Sequence, residues 1–192
     1  MKKLEEKIRK EGRILPGDIL KIDNFLNHQI DTAFVDELGE EFARLYRDTN
    51  PTKILTVEAS GIVVAYTTAV HLGNLPIVFA KKGSVALLDD NVYSAPVHSY
   101  TRGTDICIRV DKHFLSKEDR VLLIDDFLAN GEAFGGLIEL CRQAGCEVVG
   151  CGTVVEKAYQ PGGDKIRNLG YRVEALARVA KMTDDGQIEF CD

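Results

Sequence analysis

Two adjacent carboxylates, Asp125 and Asp126, end the apolar run "RVLLI", and the small-residue stretch Ala129-Asn130-Gly131-Glu132-Ala133 follows close behind. Neighbouring carboxylates can accept hydrogen bonds from vicinal hydroxyls. A turn of small residues opening into a helix offers backbone N–H groups, because the first N–H groups of a helix lack partners within it. The helix dipole favours an anion at the same place. Together the two features suit a sugar phosphate, with the acids on its hydroxyls and the turn on its terminal phosphate. The structural alternative has one Asp capping the turn, Asn130 capping the helix and Glu132 favoured by the helix dipole. The strand–turn–helix setting favours ligand binding. Neither GxxxxGK[ST] nor GxGxxG is present, so the loop is of neither nucleotide-binding type.

Placing those acids at a strand end requires a buried strand, and the pattern supplies several. "KILTV", "IVFA", "RVLLI" and "EVVGCGTVV" are continuous apolar runs of the sort buried on both faces of a parallel sheet. Helical spacing of Phe34, Leu38, Phe42 and Leu45 predicts a packed helix, ended by Asn50-Pro51. A small apolar helix is expected after Glu58-Ala59-Ser60-Gly61, another over "EAFGGLIELCRQAG", and a short one near Lys165 to Leu169. Residues 3 to 10 read as an amphipathic helix ended by Gly12, and "ILPGDIL" as a turn region. Lys81 to Gly103 reads as a long excursion with short strands, before the strand "DICIRV". Final strands are expected near "YRVEALARVAKM". The expected architecture is α/β: a mostly parallel sheet with helices on both faces and a small cap from the N-terminus and the last strands. In such sheets ligands bind beyond the carboxyl ends of the strands, where Asp125 and Asp126 fall.

Composition agrees with one core of ordinary size. The 192 residues are 45% hydrophobic and 28% charged, and no repeat or linker divides them, so residues 1–192 are read as a single domain. A net charge of -6 argues against a protein that coats nucleic acid or an acidic membrane. Five cysteines without a CxxC pair read as buried small hydrophobes in a reducing compartment, and the four histidines show no zinc spacing. The charged start "MKKLEEKIRKEG" does not read as a signal peptide, and no apolar run reaches the roughly 18 residues of a membrane span. The cytoplasm is the expected address.

Other candidates carry structural readings of equal simplicity. Ser60-Gly61 can be a helix cap. Lys81 and Lys82 can be solvated surface charges, although loops as long as the one that follows are usually functional. Leu20 can be packing, Asn27 a turn or cap, and Lys157 the chain emerging into solvent.

Four segments resemble the type I phosphoribosyltransferase family, over essentially the full chain. "VLLIDDFLANGEA" is similar to its phosphoribosyl-pyrophosphate signature, in the version of its xanthine branch; "ILKIDNFLNHQID", "EASGI" and "VEKAYQPG" accompany it. The resemblance implies the family's twisted sheet, a hood to which residues 1–30 contribute, and a long flexible loop. It assigns Asp125 and Asp126 to the ribose 2′- and 3′-hydroxyls, and Ala129, Asn130, Gly131, Glu132 and Ala133 to the 5′-phosphate. Threonines usually flank the glycine of this loop; here Asn130 and Ala133 stand in their places, so backbone N–H groups carry more of the binding. Ser60 and Gly61 would meet the pyrophosphate, with Glu58 ordering their loop. Lys81, Lys82 and Arg102 would contact pyrophosphate from a closing flap, with Lys81 and Arg102 among the catalytic candidates beside the acid pair. Leu20, Asn27 and Lys157 would hold the base, the lysine complementing the 6-oxo group and N7.

The implied reaction is transfer of phosphoribosyl to N9 of xanthine, with Mg2+ bound mainly through phosphoribosyl pyrophosphate and no all-protein metal site. A homodimer is implied as well. Two alternatives stay open: a preference for guanine, hypoxanthine or adenine, and a non-catalytic sensor of phosphoribosyl pyrophosphate. For the sensor, the N-terminus lacks room for a convincing DNA-binding element.

Overall fold

The computed structural model describes residues 1–83, 91–99, 104–183 and 185–191. Helix α1 (Lys2–Glu11) leads into a hairpin of β1 (Arg13–Leu15) and β2 (Ile19–Lys21), then one wide helical turn over Asp23–Asn27. Helix α2 (Thr32–Tyr46) starts where the Asp31 carboxylate accepts the Phe34 N–H, at 3.2 Å. Then follow β3 (Lys53–Val57), α3 (Gly61–His71), β4 (Ile77–Gly83), β5 (Val92–Ser99), β6 (Thr104–Asp111) and β7 (Arg120–Leu128). The chain continues through α4 (Glu132–Ala144), β8 (Glu147–Lys157), α5 (Gly162–Asn168), β9 (Val173–Met182) and β10 (Ile188–Phe190).

Eight strands form one sheet in the order β10-β9-β8-β7-β3-β4-β6-β5. The five central strands β9, β8, β7, β3 and β4 run parallel, and the antiparallel pairings lie at the two edges. Strand alternation divides the core in two. Leu122 and Ile124 face a cluster with Leu4, Phe25, Phe34, Leu38, Phe42 and Val64. Val121 and Leu123 face the other side, with Ile108, Phe134, Leu137, Leu140 and Ile166. Each fully buried side chain of this size contributes about 1.5–3 kcal/mol of hydrophobic stabilisation. Residues of α1, β2 and the Asp23–Asn27 turn share the first cluster, which fastens the N-terminal segment over the sheet.

Most buried strands and helices lie where periodicity places them, but the short helix expected near Lys165 to Leu169 begins earlier, at Gly162, and ends at Asn168. Three further stretches differ. "ILPGDIL" contains a hairpin rather than a turn alone. Lys81 to Gly83 still belong to β4, and Val92–Ser99 is a full strand paired along its length with β6. Residues 84–90 and 100–103 of the expected flap, Arg102 among them, lie outside the described residues. Among the described residues, no helix is long and apolar enough to cross a membrane.

Candidate active site

Strands β3 and β7 lie side by side and parallel, so the loops beyond their carboxyl ends open onto the same edge of the sheet. A cavity of about 650 Å³ lies there. Asp125, Asp126 and the whole of Ala129–Ala133 line it, together with Ser60, Lys82 and Lys157. Residues separated by about a hundred positions in sequence therefore meet around one space.

Asp125 is buried, with 5% of its surface exposed, and Asp126 is half-buried. The acids are set by the backbone beyond them: the Asp126 N–H donates to Asp125 Oδ1 and the Phe127 N–H to Asp126 Oδ1, each at 3.0 Å. Burial, and then the neighbouring Asp126 carboxylate, push the Asp125 acid well above its usual range. A ligand bringing hydroxyl donors to this pair relieves that unfavourable charge.

Gly131 turns the chain into α4 with φ +85°, a conformation that an L side chain rarely adopts. The loop is braced from outside. Gly162 N–H donates to the Ala129 carbonyl at 3.0 Å, and a Cβ on Gly162 would lie 2.3 Å from that oxygen and 2.4 Å from Gly131 N. Against the adjacent Gly163, buried Glu156 accepts from Arg167 Nη1 and Nη2 at 2.6 and 2.8 Å and from Arg178 Nε at 2.9 Å. Burial alone would raise the Glu156 acid, but the two guanidiniums outweigh it and hold it below its usual range.

On the β3 side the Glu58–Ala59 peptide is cis, and Glu58 Oε1 accepts the Lys82 N–H at 2.6 Å. The Glu58 carboxylate is thus engaged in holding its own loop to β4. Gly61 does not line the cavity. A Cβ there would lie 2.3 Å from Thr56 Oγ1 and 2.9 Å from Asp125 Oδ1, so its smallness lets α3 begin against the acid pair. Lys82 lines the cavity and Lys81 does not, because successive strand residues point to opposite faces.

The N-terminal candidates part company. Leu20 is 6% exposed, packed in the first core cluster and not in the cavity wall. Asn27 donates through Nδ2 to Asp126 Oδ2, while its own Oδ1 is buried and accepts no hydrogen bond. Lys157 lies in the wall, its ammonium donating to the Asp18 carbonyl. Burial holds that ammonium below its ordinary pKa, against the opposing charge of Asp18.

Asp18 belongs to a group that sequence reasoning missed: Gly17 and Asp18 in the hairpin turn, Ile19 at the start of β2, and Gln160 beyond β8 also line the cavity. Pro16-Gly17-Asp18 between apolar residues was a legible turn signal. Nothing local indicated that this turn would reach a strand end some 140 residues away. Gln160 lies within "VEKAYQPG", and spacing does not show its half-buried position.

Comparison with known proteins shows the family. The profile of the family described as "phosphoribosyl transferase domain" matches residues 27–168. The chain is 48% identical over 190 residues to a xanthine phosphoribosyltransferase of Pediococcus pentosaceus, covering 99% of this chain and 100% of that one. It is 52% identical to one of Lactobacillus delbrueckii subsp. bulgaricus, at the same coverage. Among solved structures, the adenine phosphoribosyl transferase of Trypanosoma brucei, in complex with AMP, pyrophosphate and ribose-5-phosphate, has the same fold. Its TM-score is 0.78 at 19% identity, over 95% of this chain and 82% of that one. The strand-end acid pair, the braced turn beyond it and a profile match over most of the sequence lead to one conclusion: the chain belongs to the phosphoribosyl transferase domain family.

Proposed function

We propose that the chain transfers the 5-phosphoribosyl group of phosphoribosyl pyrophosphate to N9 of xanthine, giving xanthosine 5′-monophosphate and pyrophosphate in purine salvage. The observation that carries the choice of base is identity of 48% and 52% to xanthine phosphoribosyltransferases over 99% of the chain. The cavity supports the sugar phosphate half of the reading, since it brings the acid pair and the Ala129–Ala133 turn to one wall.

In this reading Asp125 and Asp126 accept hydrogen bonds from the ribose 2′- and 3′-hydroxyls, with Asn27 steadying Asp126. Backbone N–H groups of Asn130 to Ala133 hold the 5′-phosphate, and the small Ala133 side chain lets the phosphate come close. Ser60 and its loop face the departing pyrophosphate, with Lys82 supplying positive charge. Lys157 donates to the 6-oxo oxygen or N7 of the base, and its partial burial strengthens that contact. N9 attacks the anomeric carbon as the carbon–oxygen bond to pyrophosphate breaks, with inversion and no covalent enzyme intermediate. The protein positions the reactants and stabilises charge on the leaving group.

A divalent cation such as Mg2+ would neutralise charge on the pyrophosphate oxygens. In this reading the ion is held mainly through phosphoribosyl pyrophosphate and water, as Mg2+ keeps several waters and binds through substrate phosphates. A homodimer and a cytoplasmic address belong to the same reading. Incubating the protein with magnesium phosphoribosyl pyrophosphate and each of xanthine, guanine, hypoxanthine and adenine tests the function. Xanthosine monophosphate is expected as the fastest-formed product, and dominant use of adenine overturns the proposal.

A further inference from the structure

Gln160 lines the cavity, and its Oε1 is buried yet accepts no hydrogen bond. A buried acceptor left without a donor is destabilising, and one beside a cavity calls for an explanation. The surrounding chain holds Gln160 firmly. Its N–H donates to the Lys157 carbonyl at 2.9 Å, closing a turn. Pro161 fixes the next φ, and Gly162 N–H is tied to the phosphate loop at Ala129. Gln160 therefore stands between Lys157 and the Ala129–Ala133 turn, on a support that both ends stabilise.

Its possible donors can be sorted by chemistry. Phosphates and pyrophosphate offer acceptor oxygens only. The ribose hydroxyls face the acid pair in the reading above. The remaining donors are the ring N–H groups of the purine. Lys157, on the same turn, has donors and no acceptor. A donor from Lys157 and an acceptor from Gln160 complement an edge presenting C=O beside N–H, which is a lactam. An oxopurine has that edge at C6=O and N1–H. Adenine has the inverse edge, an amine beside an unprotonated N1.

We infer that Gln160 is a specificity-determining residue: its Oε1 accepts the N1–H of the oxopurine while Lys157 donates to the adjacent 6-oxo oxygen. The inference rests on the proposed function and adds to it a residue that reads the base. Removing the acceptor exposes the lost contact in the base alone, since neither the acid pair nor the phosphate loop is changed.

The test pairs a protein change with a ligand change. Steady-state kinetics are measured for the wild-type protein, Q160A and the near-isosteric Q160M, with xanthine and with 1-methylxanthine, which lacks the N1–H. The expected result is a loss of about ten- to a hundredfold in kcat/KM for xanthine in both variants. No comparable loss is expected for 1-methylxanthine, so the two changes couple. The KM for phosphoribosyl pyrophosphate should stay at its wild-type value, and the thermal midpoint of Q160M should be no lower than that of the wild type. Equal losses with both bases, or a parallel loss of phosphoribosyl-pyrophosphate binding, would make Gln160 a structural support and overturn the inference. Unchanged xanthine kinetics in the variants would overturn it and leave the proposed function standing. Failure of the wild-type protein to use xanthine at all would remove both.

Discussion

Replacing Gly162 by alanine probes the phosphate loop without touching any residue that would meet substrate. The added Cβ would lie 2.3 Å from the Ala129 carbonyl oxygen and 2.4 Å from Gly131 N, whereas ordinary contacts begin at 3.4 Å. Neither atom belongs to a flexible side chain, so relief requires backbone to move by about 1 Å, a shortfall read directly from those contacts. The atoms that must yield are the loop's own. A misplacement of about 1 Å in a positioning element can cost about a hundredfold in rate. We expect G162A to lower kcat/KM for phosphoribosyl pyrophosphate by about that factor, most of it through KM, while KM for the base changes little. The control is G135A, four residues along from Gly131 in α4, where an added Cβ meets nothing within 4 Å. That variant should keep wild-type kinetics and gain slightly in stability, since alanine exceeds glycine in helix propensity by about 1 kcal/mol. Steady-state kinetics at varied phosphoribosyl pyrophosphate, with thermal unfolding of each variant, provide the assay. Wild-type KM for phosphoribosyl pyrophosphate in a folded G162A would refute the claim that Gly162 braces the loop.

D125N should abolish transfer yet raise stability near neutral pH. Asp125 has a folded pKa raised above its unfolded value, so its contribution is fully present below the unfolded pKa and falls as pH rises toward the folded one. Unfolding midpoints of D125N and wild type should therefore diverge above about pH 4, by about 2–4 °C per kcal/mol recovered; a variant less stable at pH 7 contradicts this. Glu156 has the opposite sign: its folded pKa is depressed, so its stabilisation is present above the unfolded value and lost as pH falls through the folded one. E156Q should destabilise the fold by about 1–3 kcal/mol at pH 7, below the usual figure for breaking a buried pair because both arginines reach solvent, and its acid unfolding should be flatter than wild type's. K157M should reduce use of 6-oxopurines much more than binding of phosphoribosyl pyrophosphate, measured by the two KM values; equal reductions would assign Lys157 a structural role.

The parallel centre of the sheet was legible because strands buried on both faces read as unbroken apolar runs, and "RVLLI" and "KILTV" have no other simple use. The acid pair and loop were legible because chemistry and turn lie contiguously in sequence. What remained hidden arises from long-range packing. Lys81 and Lys82 are equivalent in composition, and only the strand register turns one into the cavity and the other away. Leu20 reads equally as wall or core, and the structure buries it in the first core cluster, outside the cavity wall. The bracing of the loop by Gly162, and of α5 by Glu156 and two arginines, joins segments whose relation no local pattern encodes.

The central claim is that one carboxylate pair and the turn after it hold a phosphorylated ribose at the end of β7. Calorimetric titration of magnesium phosphoribosyl pyrophosphate into wild-type protein and the D125A/D126A double variant tests it most directly. The account predicts saturable binding by the wild type and at least about a hundredfold weaker binding by the double variant, the loss of charge-assisted hydrogen bonds to two hydroxyls, with cooperative unfolding retained. Equal affinity in the two proteins would contradict it.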